Sequence, residues 1–194
     1  VYGLFGPSKN TVAGANSSGV NWTWALRSGS PDNAANNNQG AIGLAKVGGK
    51  TCIVGVISDE TGYGPKVYAI ESANGNVVST YYVEDSPAMD NGSVAVTPDG
   101  NIVATLNHSN GQTNGGIVVV KPTAPTGTKV AEYRVQEKVS CTPAIDAAGN
   151  IHFATASGNY YVVDKDCKLL VKKTLKNLVQ GDNRYKETFA NLDA

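Results

Sequence analysis

Two stretches of this chain repeat one another. Ser93-Val-Ala-Val-Thr-Pro-Asp-Gly-Asn-Ile-Val-Ala-Thr105 and Thr142-Pro-Ala-Ile-Asp-Ala-Ala-Gly-Asn-Ile-His-Phe-Ala-Thr155 both alternate apolar and other residues, turn through Gly-Asn, and alternate again. Each is followed by a second alternating pair, Gly116–Val120 with Lys129–Val135, and Asn159–Val163 with Leu169–Lys173. A weaker copy precedes them. It runs through Ala41–Val47, the turn Gly48-Gly-Lys50, Thr51–Ile57, Lys66–Ile70 and Val77–Val83. The outer pair of that copy is joined by Ser72-Ala-Asn-Gly-Asn76, and Asn-Gly between alternating runs is a strong hairpin signal. The starts at Ile42, Val94 and Pro143 lie 52 and 49 residues apart.

Four short strands per unit, repeated at this period, predict an all-β fold, a β-propeller of four-stranded antiparallel blades. The expected division is a partial blade over 1–28, a loop over 29–39, blades over 40–84, 85–136 and 137–179, and a tail over 180–194. In the partial blade, Val1–Phe5 and Val20–Leu26 read as an outer strand pair. About three and a half to four blades are fewer than most closed rings hold, so the expectation is part of a larger ring, or a ring completed by another copy. Val1 falls inside an alternating stretch, which reads as a piece of something longer or a chain whose targeting segment has been removed.

Charge narrows the partners. Lys plus Arg and Asp plus Glu are 16 each, for zero net charge. No basic stripe is present to neutralise phosphates, so nucleic acid is not an expected partner. Nor is membrane insertion expected, because no apolar run approaches the roughly 18 residues of a spanning helix. The three cysteines, Cys52, Cys141 and Cys167, lack C-x-x-C spacing and do not suggest zinc. Cys52 reads as a small buried hydrophobe, whereas Cys141 and Cys167 could either bridge or remain free.

Val67-Tyr-Ala-Ile with Gly75-Asn-Val-Val78, Tyr161-Val-Val-Asp-Lys-Asp-Cys-Lys-Leu-Leu170 and the Thr142–Ile151 segment resemble the hairpins of the pyrroloquinoline-quinone-like propeller repeat. The Pro98-Asp-Gly-Asn101 turn is also similar to that of strictosidine-synthase-like and lactonase-like propellers. The family's docking tryptophan is replaced by Ser79 in one unit, and by an aliphatic residue or Lys near 171–172 in another. Only Asn16–Trp24 retains tryptophans. The family divides into quinone-dependent dehydrogenases and non-catalytic scaffolds, and the departures imply the scaffold type. The resemblance also implies export to the periplasm or cell surface.

The residues themselves carry little chemistry. Asp164-Lys-Asp166 sits at a hairpin tip, where Asp serves local backbone bonding more often than calcium, which wants about six to eight oxygens. His152 is flanked by Ile151 and Phe153, which face the other way, so it reads as solvent-facing or hydrogen-bonded rather than as a base. No Gly-x-Ser-x-Gly elbow accompanies His108 or His152. The acidic neighbours Asp59-Glu60 and Glu84-Asp85 fall at strand ends. No catalytic residue, cofactor or metal ligand is therefore assigned.

The candidate binding surface comprises Trp22 and Trp24, which share a strand face, with Tyr63, His108 and Asn110 from the loops 58–65 and 107–116. The polar loop 28–40 is a further candidate. The expected partner is a protein or a glycan, with a homo-oligomer as a further possibility, and the expected function is a non-enzymatic exported binding or assembly module. The alternatives are a fragment of a quinone-dependent dehydrogenase or lactonase-like enzyme, and a self-assembling subunit that uses open strand edges.

Overall fold

The computed structural model describes residues 41–57, 66–83, 92–106, 115–139 and 141–175, and the backbone of 2–5, 11–16 and 19–25. Among these residues antiparallel strands form four sheets. The first is β1 (Tyr2–Phe5), β2 (Thr11–Asn16) and β3 (Gly19–Ala25), in that order. The second holds β4 (Gly43–Val47), β5 (Lys50–Ile57), β6 (Lys66–Glu71) and β7 (Val77–Tyr82). The third holds β8 (Val94–Val96), β9 (Ile102–Leu106), β10 (Gly115–Lys121) and β11 (Thr128–Val135). The fourth holds β12 (Ala144–Ile145), β13 (Ile151–Ala154), β14 (Asn159–Val163) and β15 (Leu169–Thr174). Among the described residues no helix is long and apolar enough to cross a membrane.

The first sheet corrects one expectation. β1 and β3 do not pair with each other, because β2 lies between them and pairs with both. The outermost hairpin of every sheet carries one register shift, at Gly14/Ala15, Ala69/Ile70, Val119/Val120 and Val162/Val163. That shared irregularity makes β2 and β3 the outer pair of a blade and β1 the strand inside it.

The inner turns follow from sequence. Gly100 and Gly149 take φ of 86° and 85°, a region open to glycine and strained for most other residues. Thr97 and Asp146 occupy matching places before them. Thr97 Oγ1 accepts the Asn101 N–H at 2.9 Å, and Asp146 Oδ1 accepts the N–H groups of Ala148 and Asn150 at 2.9 and 2.8 Å.

Alternation then decides the packing. On β9 and β10, Ile102, Ala104, Leu106, Val118 and Val120 join a core with β4–β7. Val103, Ile117 and Val119 point the other way, into a core with Ile151, Phe153, Tyr161 and Val163 of the fourth sheet. The third sheet is thus buried on both faces, which is why its central strands read as nearly unbroken apolar runs. Each buried Val, Leu, Ile or Phe among them contributes about 1.5–3 kcal/mol by leaving water. The innermost strands β4, β8 and β12 neighbour one another in sequence order. At the β4–β8 step, Ala41 N–H donates to Ser93 Oγ at 3.1 Å. Stacked four-stranded sheets with adjoining inner strands are propeller blades, and the described residues form a partial propeller.

Candidate binding face

Because the strands alternate in direction, each blade has a turn end and a loop end. The turn end carries the short connections within the inner and outer hairpins. In the second blade these two turns are tied by Lys50 Nζ to Glu71 Oε2 at 2.7 Å and by Ser72 N–H to Thr51 O at 2.9 Å. Between the third and fourth blades the turn end opens into a cleft of about 330 Å³. Thr97, Asp99, Asn101, Gly149, Lys165 and Asp166 contribute to its lining. Asp164 accepts the N–H groups of Asp166 and Lys168 at 2.9 and 2.8 Å, the local turn bonding expected of it.

The loop end gathers the connections between the two hairpins of each blade. β5 ends at Ile57 and β6 begins at Lys66, while β9 ends at Leu106 and β10 begins at Gly115. The connections 58–65 and 107–114 therefore leave from the same end of neighbouring blades, as Thr155–Gly158 does in the fourth. Tyr63, His108 and Asn110 belong to those connections and lie outside the described residues, as does the loop 28–40. Trp22 and Trp24 lie on β3 opposite Gly14 and Val12, at alternate positions of one sheet face, and their side chains are outside the description.

Near this end, Glu137 forms an anchor that sequence reasoning missed. Asn159 Nδ2 donates to both of its carboxylate oxygens at 2.8 Å, Tyr161 Oη donates at 2.8 Å, and Thr155 Oγ1 donates as well. Burial pushes the carboxyl of Glu137 up, but hydrogen bonds from Thr155, Asn159, Tyr161 and Ser157 outweigh it and hold the group below the usual range. The linker from β11 to β12 is thereby fixed to β14. Glu137 O also lies 2.1 Å from where a Cβ on Gly115 would sit, so the linker presses on the start of β10.

A second polar group occupies the far face of the fourth blade. His152 and Tyr160 stand where Val103 and Ile117 stand in the third blade, at positions that there point into the next core. His152 Nδ1 lies 2.5 Å from Tyr160 Oη, and its Nε2 lies 3.2 Å from Asp146 Oδ2. His152 is hydrogen-bonded and half-buried, as its position in the alternation suggested. For Asp146, burial raises the pKa, and the opposing bonds from Asn150, His152 and Ala148 bring it down to about 2. Both polar clusters are hydrogen-bonded to their own neighbours.

The cysteines are all free and buried. Cys167, at φ 60°, tucks its thiol into the joint between the third and fourth blades. Burial and then Asp164, Glu132 and Asp166 push it up to about 12.

These blades define a β-propeller-type protein. No family model matches the chain, and no curated protein does. Among solved structures it resembles the crystal structure of BamB from Moraxella catarrhalis, with a TM-score of 0.53 at 14% identity. The likeness covers 86% of this chain and 43% of that one, so this chain spans less than half the length of the BamB structure. What the two share is the fold.

Proposed function

We propose that this chain is a non-catalytic propeller segment, of the pyrroloquinoline-quinone-like repeat type, that binds a protein partner through its loop end in the periplasm or at the cell surface. The observation that carries this reading is the delivery of the 58–65 and 107–114 connections to one end of two blades joined by a continuous core. Polar loops held on a rigid scaffold are where recognition residues concentrate. The fold likeness to BamB agrees with a propeller segment. So does the state of the titratable clusters, since Glu137, Asp146 and His152 are each bonded to local partners.

Photo-crosslinking in the producing cells tests it. A benzophenone amino acid placed at Tyr63, His108 or Asn110 should give protein adducts, while the same group at Gly48 or Asp99, on the turn end, should give none. Adducts from both ends alike, or adducts to glycan alone, would defeat the reading. Fractionation of the same cells should place the chain outside the cytoplasm.

A further inference from the structure

β15 is exposed along nearly its whole length, with Leu169 and Leu170 at 45% and 53% of full exposure. It is the outermost strand of the fourth blade. The corresponding strand of the second blade, β7, shows how this molecule uses such an edge. Thr80 N–H donates to Pro125 O at 3.1 Å, and Gly127 N–H donates to Thr80 O at 2.9 Å, forming a parallel bridge with Thr126. The segment docked on β7 is the Pro125-Thr-Gly127 stretch within the outer hairpin of the third blade, a bend at Pro125 that leads into the bridge at Thr126.

Register identifies the matching residue on β15. Thr80 opposes Tyr68, one residue before the shift at Ala69/Ile70. Lys172 opposes Tyr161, one residue before the shift at Val162/Val163. The backbone N–H and C=O of Lys172 therefore lie on the outer edge, as those of Thr80 do. Among the described residues no backbone bond from outside the β14–β15 ladder reaches them.

The geometry points to the edge of β15 as a docking strip for an extended acidic segment of a partner protein, paired in parallel with the backbone of Lys172. Main-chain bonds to such an edge supply affinity, and side chains supply selection. The strip offers Leu169, Leu170 and Val171 for apolar contact, bracketed by the exposed Lys168, Lys172 and Lys173. A second copy laid on the same edge would set lysines against lysines, which disfavours self-pairing and selects an acidic occupant. Lys172 Nζ lies 5.3 Å from the Tyr161 ring centroid, so one of these charges is already held beside the edge. This inference goes beyond the loop-end reading and does not rest on it, since the two surfaces share no residue.

A fluorescein-labelled peptide, Glu-Pro-Thr-Ala-Pro-Thr-Gly-Glu, titrated against the full chain tests the strip. Saturable binding with Kd of about 10–500 µM is expected. Methylating the glycine amide nitrogen of the peptide should weaken it about tenfold or more, because the bond equivalent to Gly127 N–H to Thr80 O is lost. Lys172→Pro, which removes one outward N–H from an edge strand where proline is tolerated, should do the same. Lys173→Glu should weaken it by a few-fold and flatten its salt dependence. If Lys172→Pro does not fold, the methylated peptide still decides the matter. The inference is overturned by absent binding, by equal binding of the methylated peptide, by slow exchange of the Lys172 amide in the free chain, or by a dimer that Lys172→Pro dissolves.

Discussion

Asp146 and Glu137 show two uses of a carboxylate in this chain. Asp146 closes the turn it belongs to and reaches forward to His152. Its folded pKa of about 2 lies below the ~3.9 of an unfolded aspartate, so its contribution to stability is complete above about pH 4 and is lost as pH falls toward 2. Asp146→Asn keeps the turn-closing oxygen and removes the titration. Thermal unfolding of that variant should therefore fall less steeply between pH 4 and pH 2 than that of the parent, and parallel curves would contradict this. The Asp146 turn was legible in the sequence, since Asp before Ala-Ala-Gly-Asn is a turn with a mechanism. Glu137 was not legible. Its partners Thr155, Asn159 and Tyr161 lie 18, 22 and 24 residues further on, and a lone Glu in Val135-Gln-Glu-Lys looks like any solvated charge.

At the scale of elements, period-2 alternation with Gly-Asn turns was enough to find the strands of three blades, because the central strands bury at least one apolar face and the outer ones keep the alternation. β2 escaped notice because Thr11-Val-Ala-Gly-Ala-Asn16 has small residues where strand signals are usually branched or aromatic. The bridge between Thr80 and Thr126 escaped as well, because Pro-Thr-Ala-Pro-Thr-Gly reads as a surface connection. Its tightness gives a prediction. A Cβ on Gly127 would lie 3.1 Å from Val120 Cγ1, 3.2 Å from Lys121 O and 3.3 Å from Tyr81 Cβ. Gly127→Ala should push the segment off β7, raise hydrogen exchange at the Thr80 amide, and cost about 0.5–1.5 kcal/mol. Unchanged protection at Thr80 would show that the bridge is dispensable.

At the scale of the whole molecule, the third blade supplies one wall to each of the two cores. Stacked units joined only to their neighbours lose order from the disturbed joint outward. Phe153, fully buried and stacked on Tyr161 with ring centroids 5.1 Å apart, belongs only to the joint between the third and fourth blades. Phe153→Ala should cost about 3–5 kcal/mol and expose the amides of β13–β15 to exchange while β4–β7 keep their protection. Equal loss everywhere would mean one cooperative unit. The joints also differ in kind. One is fastened by a backbone bridge from Thr126 to Thr80, the other by Cys167 of the fourth blade packed in one core with Val103, Ile117 and Val119 of the third. Each fastening is written half in one repeat and half in its neighbour. These blades are therefore not interchangeable cassettes: a copy transplanted to another place in the series would arrive with the wrong half of a lock, however well its own four strands paired.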